Sequence, residues 1–148
     1  MATRAVIRFA DREEGVRFDK MPNKQFGVQI YKHYDGYPRY LGREIAEFLK
    51  DRQYVNGLTS RVVKQMNGPG DLMAQLTAYL KEDSGGDVYL YPSENTHDDH
   101  GQAYTYYIWA CDDKPGNWIS IFDRDYCVFV GTPEKLQNRY EELEIINT

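Results

Sequence analysis

Three stretches of this chain bring together side chains able to do chemistry. In the first, His33 stands two residues from both Tyr31 and Asp35, beside Lys32 and shortly before Tyr37. Histidine is the side chain whose ordinary titration falls near neutrality, and a carboxylate accepting from one ring nitrogen orients the other toward a substrate or a phosphate. On an extended strand His33 and Asp35 share a face. A strand that ends in a turn and then a helix start also forms a natural rim for an anion pocket. The plainer reading is that Asp35 accepts backbone N–H groups in the turn and that His33 is a surface strand residue.

The second stretch is His97-Asp98-Asp99-His100, with Glu94 and Asn95 upstream. Imidazole and carboxylate ligands suit Zn²⁺, Mn²⁺ or Fe²⁺, and two histidines three apart can reach one ion if the loop turns. The helical His-Glu-x-x-His spacing is absent and neither Cys111 nor Cys127 is near in sequence, so a solvated loop is the simpler expectation and metal binding stays open. The third group is Arg4, Arg8, Arg17, Lys32 and Arg39, interleaved with Tyr31 and Tyr37. Arginine forks onto phosphate and aromatic rings stack on bases, a combination suited to a nucleotide or a single strand. Ion pairing of the same cations with Asp19, Glu44 and Glu47 is the structural alternative.

No other motif names a cofactor. Gly68-Pro69-Gly70-Asp71 lacks the Lys-Ser/Thr ending of a phosphate loop, and no G-x-S-x-G elbow is present. The formal net charge of -5 argues against long duplex nucleic acid held by charge alone. Lys and Arg outnumber Asp and Glu 13 to 8 over residues 1–64, and the balance reverses to 5 against 15 over residues 65–148, leaving an acidic half that would suit a basic partner. Two cysteines without a CxxC spacing imply a reducing compartment. With no leader-like segment and no run of about eighteen apolar residues, a cytoplasmic protein that does not span a membrane is expected.

The elements that must position these groups follow from periodicity. Residues 3–10 alternate as a strand, with Ala5, Ile7 and Phe9 on one face and Arg4, Val6 and Arg8 on the other. Val16-Arg17-Phe18 reads as a short extra strand. Residues 26–34 form a second firm strand, with Phe26, Val28 and Ile30 opposite Tyr31 and His33, and it should pair antiparallel with the first. Asp35-Gly36-Tyr37-Pro38 then breaks the strand and starts a helix carrying Leu41, Ile45, Phe48 and Leu49. Leu58, Val62, Val63 and Met66 predict a second helix, and Leu72, Met73, Leu76, Tyr79 and Leu80 a third, capped by Asp71 and stopped at Gly85-Gly86. Segments 88–91, 103–111, 118–122 and 126–130 are short strands, the last three a meander. A final helix has Thr132 as its cap, Pro133 in its first turn and Leu136, Tyr140 and Leu143 as its apolar stripe.

With 148 residues and no linker or repeat, a single α+β domain is expected, its mainly antiparallel sheet covered on one face by two to four helices. The other face would stay open, displaying Arg4, Arg8, Tyr31 and His33.

Thr3-Arg4-Ala5-Val6-Ile7 and the string His33-Tyr34-Asp35-Gly36-Tyr37-Pro38 resemble a group of small phage and prokaryotic proteins without an assigned activity, and Tyr104-Thr105-Tyr106-Tyr107-Ile108 and Gly131-Thr132-Pro133-Glu134 look like the same group. The resemblance implies a phage or mobile-element context and supplies no catalytic residue. The leading expectation is a binding protein that engages a host protein or a nucleotide-like ligand through Arg4, Arg8, Tyr31, Lys32, His33, Asp35 and Tyr37. One alternative is a phosphodiesterase or nuclease, with His33 as acid or base, Arg4 or Lys32 neutralising phosphate and a metal held by His97 and His100. The other is a structural or assembly protein, a homo-oligomer joined through an apolar surface on the tyrosine-rich strand 103–109.

Overall fold

The alternation of residues 5–10 yields a strand sealed on both sides. In this computed structural model, which describes residues 2–59, 64–93, 100–111 and 114–147, β1 (Ala5–Asp11) lies inside a six-stranded sheet. Its neighbours are β2 (Val28–Lys32), antiparallel, and β6 (Tyr104–Cys111), parallel. β5 (Val88–Pro92) adds outside β2, while β7 (Lys114–Asp123) and β8 (Tyr126–Gly131) extend the other side as the expected antiparallel meander. The order is therefore β5-β2-β1-β6-β7-β8, antiparallel except at the central β1–β6 pair.

Three helices cover one face. Pro38–Gly42 forms a single π-helical turn that runs into α1 (Arg43–Lys50). The stripe Leu41, Ile45, Phe48 and Leu49 is fully buried against Ile7, Ile30 and Tyr106 in the main core, each such side chain contributing about 1.5–3 kcal/mol. α2 (Gly68–Lys81) adds Leu72, Met73 and Leu76, and α3 (Pro133–Asn147) adds Leu136. Thr132 Oγ1 accepts from Lys135 N at 3.3 Å, as a capping threonine should. Asp71 acts from inside the first turn of α2, where its Oδ2 accepts from Asn67 N at 2.8 Å. Leu143 lies on a part of α3 whose side chains are outside the description.

Two expected elements are absent among the described residues. The helix over 58–66 is overturned: Leu58 is 72% exposed, and Lys64–Asn67 forms a strand, β4, parallel to β3 (Arg52–Val55), while Val62 and Val63 lie outside the described residues. The extra strand at 16–18 is irregular chain. It nevertheless packs: Val16, Phe18 and Met21 sit on Ala10, Tyr107, Trp109 and Phe122, making a second, smaller core on the face opposite the helices. Phe18 stacks on Trp118 at 4.9 Å and meets Trp109 edge-on at 5.3 Å, and its carbonyl accepts from Ser120 Oγ, which in turn accepts from Trp109 Nε1.

The expectation of a wholly open second face is thus corrected, because the chain between β1 and β2 folds back over its middle. Tyr106, Tyr107 and Trp109 are buried as well, while Tyr104 of the tyrosine-rich strand 103–109 is half-buried. No helix among the described residues is long and apolar enough to cross a membrane.

Candidate functional site

What remains open on that second face is its β2–β5 end. Period-2 alternation turns Gln29, Tyr31 and His33 away from the helices, and the antiparallel register sets Tyr31 between Val6 on β1 and Tyr89 on β5. Around Tyr31 the ring centroids of Tyr89, Tyr91 and His100 lie at 6.0, 6.0 and 5.5 Å, and Tyr91 meets His100 at 4.6 Å. Tyr31 Oη and His33 Nδ1 share a hydrogen bond of 2.7 Å, and Tyr34 stands edge-on to the His33 ring at 4.5 Å. The result is a continuous plate of tyrosine and imidazole rings, with Tyr89 43% exposed and Tyr91 38%.

Arg4 flanks the plate. It is exposed, and its Nη1 stands 3.7 Å from the Cβ position of Gly101, the residue after His100. Burial pushes the Tyr31 hydroxyl above its ordinary range, while the Arg4 guanidinium pulls it back. Both histidine regions of the sequence therefore meet one tyrosine. Glu94, Asn95, His97, Asp98 and Asp99 lie outside the described residues, and among the described ones no three His, Cys, Asp or Glu side chains converge as metal ligands would.

Four expected site residues belong elsewhere. Arg8 is fully buried; its Nε donates to Gln29 Oε1 at 2.9 Å and its Nη1 to Tyr107 Oη at 3.2 Å, so it is a cross-strand tie between β2 and β6. Lys32 points to the helix side, where its Nζ meets Asp87 Oδ2 at 2.5 Å and Tyr34 O at 2.8 Å. It is committed to that pair and cannot also neutralise phosphate on the opposite face. Asp35 adopts φ +56 in the turn and is exposed, and its expected bond to His33 is taken by Tyr31 instead. Tyr37 meets Tyr104 with the rings tilted and their centroids 5.9 Å apart, on the helix side. Of the other cations proposed for phosphate, Arg17 pairs with Asp19 at 2.8 Å and Arg39 lies over Tyr40.

Asp87, Tyr89 and Tyr91 are the residues sequence reasoning missed. Asp87 does the work assigned to Asp35: its Oδ1 accepts from Tyr34 N at 2.9 Å and its backbone O from His33 N at 2.8 Å. Burial acts to raise the Asp87 carboxyl, but the Lys32 and Tyr34 hydrogen bonds outweigh it and leave the group below its ordinary range. A lysine on the apolar face of a strand was the available signal, because a buried ammonium demands a carboxylate. The turn is pinned from the other side by Gly36, whose N donates to Thr3 O and whose O accepts from Tyr106 Oη. A Cβ there would lie 2.7 Å from Thr3 O.

Comparison with protein-family models, with curated proteins and with solved structures finds no match.

The plate is a side-chain surface and not a strand-addition edge. Pro92 has no N–H to offer, and Lys81 Nζ already occupies the carbonyl of Val88 at 3.1 Å, so both ends of the outer strand are blunted.

Proposed function

We propose that this chain is a small binding protein whose contact surface is the Tyr31, His33, Tyr89, Tyr91 and His100 plate with Arg4 at its border, and that its partner is another protein. The observation that carries this reading is the gathering of three tyrosines and two histidines, from β2 and the residue after it, β5 and the residue just before Gly101, into one cluster whose Tyr89 and Tyr91 rings are exposed. Tyrosine and arginine are the residues from which interface hot spots are built, since they cover large areas at low conformational cost and retain a polar tip.

The nucleotide-like ligand fits less well. With Arg8 and Lys32 engaged internally, Arg4 is the arginine or lysine of the expected set that stays at the plate, too little positive charge to hold a phosphate chain on a protein of net charge -5. The phage or mobile-element context implied by the resemblance would make the partner a host protein. The His-dependent phosphodiesterase keeps one favourable feature, the Tyr31–His33 hydrogen bond, but not Lys32.

The test is capture from host lysate with immobilised protein, comparing the unaltered chain with a Tyr31→Ala, Tyr91→Ala double variant, each with and without nuclease treatment. A protein retained by the first and released by the second, indifferent to nuclease, is expected. Retention that survives the double variant, or that disappears with nuclease, contradicts the reading.

A further inference from the structure

On the helix side of the sheet, remote from the tyrosine plate, a cleft of about 250 Å³ opens between the Pro38 turn, the paired ends of β6 and β7, β8 and α3. Its walls are aromatic: Tyr37, which is exposed, and the half-buried Tyr104 meet with centroids 5.9 Å apart and planes inclined at 59°. Its charges are of both signs. Arg39 and Arg139 line it together with Asp123, and among the described residues none of the three forms an ion pair with another. Arg139 is held in place by donating Nη1 to Val128 O at 3.2 Å and by lying over the Phe129 ring. Arg39 is exposed beside Tyr40.

The β6–β7 register sets Asp123 directly across from Tyr104, whereas Arg139 comes from α3, next to Tyr140, and Arg39 from the Pro38 turn. In keeping with that placement, burial raises the Tyr140 hydroxyl while Arg139 and Arg39 draw it down, and burial raises Tyr104 with Asp123 adding to the rise. Charges of opposite sign that line one small cleft without pairing to each other can each satisfy a different group of a bound molecule. The volume lies just under the range of about 300–1,000 Å³ usual for larger ligands, which limits the occupant to a molecule the size of one residue.

We propose that this cleft binds a free aromatic α-amino acid, its carboxylate on Arg39 and Arg139, its ammonium on Asp123 and its ring against Tyr37 and Tyr104. A guanidinium–carboxylate contact is charge-assisted and geometrically selective, and a tilted ring pair accepts a third ring edge-on or offset.

Titration of the full chain with L-phenylalanine, followed by backbone amide chemical shifts, tests the proposal. A saturable shift at millimolar or lower concentration is expected, confined to residues around Tyr37, Tyr104 and Tyr140. N-acetyl-L-phenylalanine lacks the ammonium and L-phenylalanine amide lacks the carboxylate; each should bind about tenfold or more weakly, as should the free amino acid with Arg39→Ala or Asp123→Asn. Both substituted side chains are exposed, and an unchanged far-UV spectrum verifies the fold. Absence of a saturable shift overturns the proposal. So does equal binding of either blocked form: an N-acetyl form that binds as well as the free acid would point to a peptide C-terminus, an amide that does so to a peptide N-terminus.

Discussion

The two ends of one sheet face have parted company. Toward β6 and β7 the face is closed: Ala10, Tyr107, Trp109 and Phe122 lie beneath Val16, Phe18 and Met21, with Trp109 Nε1 bonded to Ser120 Oγ and Tyr107 Oη to the buried Arg8. Toward β5 no described residue closes the same face in that way, and the rings of Tyr89 and Tyr91 are exposed. Tyr107 and Tyr31 are chemically identical; one is fully buried in a core, and the other is half-buried among neighbouring rings. Aromatic residues left in contact with one another and with water are costly to keep unless something covers them in use. The difference between the two ends therefore points to the β2–β5 end as the interacting one.

The sharpest way to break this comparison is to cut a ring from each end. Trp109→Ala should lower unfolding free energy by about 3–5 kcal/mol, as for other buried large aromatics, whereas Tyr91→Ala should cost within about 0.5 kcal/mol; denaturant titration reads both. Equal costs would mean that the plate is core and not surface. Arg8→Ala removes the hydrogen bonds to Gln29 Oε1 and the Tyr107 hydroxyl from a buried site and should cost about 2–3 kcal/mol. If it were neutral, the closed end would not depend on that tie.

The Lys32–Asp87 pair, which holds the turn behind His33, gives a smaller and pH-dependent effect. Because the folded Asp87 carboxyl sits below its ordinary value, its contribution is present above about pH 4, the unfolded range, and is lost as pH falls through the folded value. Glu44 works in the opposite sense, since burial raises it. Thermal melts of Asp87→Asn should lose part of the decline on acidification, and Glu44→Gln should steepen that decline. The most local effect is expected of Tyr31→Phe, which removes only the bond to His33 Nδ1: stability should change by about 0.5–1.5 kcal/mol at most, while the His33 ring protons shift in the NMR spectrum and those of His100 shift less.

How far the sequence revealed all this follows the same division. The face of each residue on β1 and β2 was legible, since alternation fixes it: Ile7 and Ile30 do lie in the core shared with the helices, and Tyr31 and His33 do face away. What covers a face was not. Phe18 and Val16 advertised burial, yet an irregular segment has no period to say where it lands. Leu58, Val62, Val63 and Met66 mimicked a helical stripe, but Met66 is buried from a four-residue strand whose partner, β3, lies close by in sequence. A strand that short leaves too few alternations to compete with a chance helical spacing. Asp87 escaped because its partner Lys32 is 55 residues away, and the tyrosines of β5 because only the sheet order brings them beside Tyr31.

The measurement closest to the central claim is site-specific photo-crosslinking in producing cells, with a photoreactive phenylalanine analogue placed at 91 on the plate or at 126 on the far edge strand, where Tyr126 is 73% exposed. A discrete protein adduct from position 91, absent from position 126 and lost when Arg4→Glu is added, is the predicted result. Adducts of equal yield from both positions, or an adduct at 91 that proves to be nucleic acid, would contradict it.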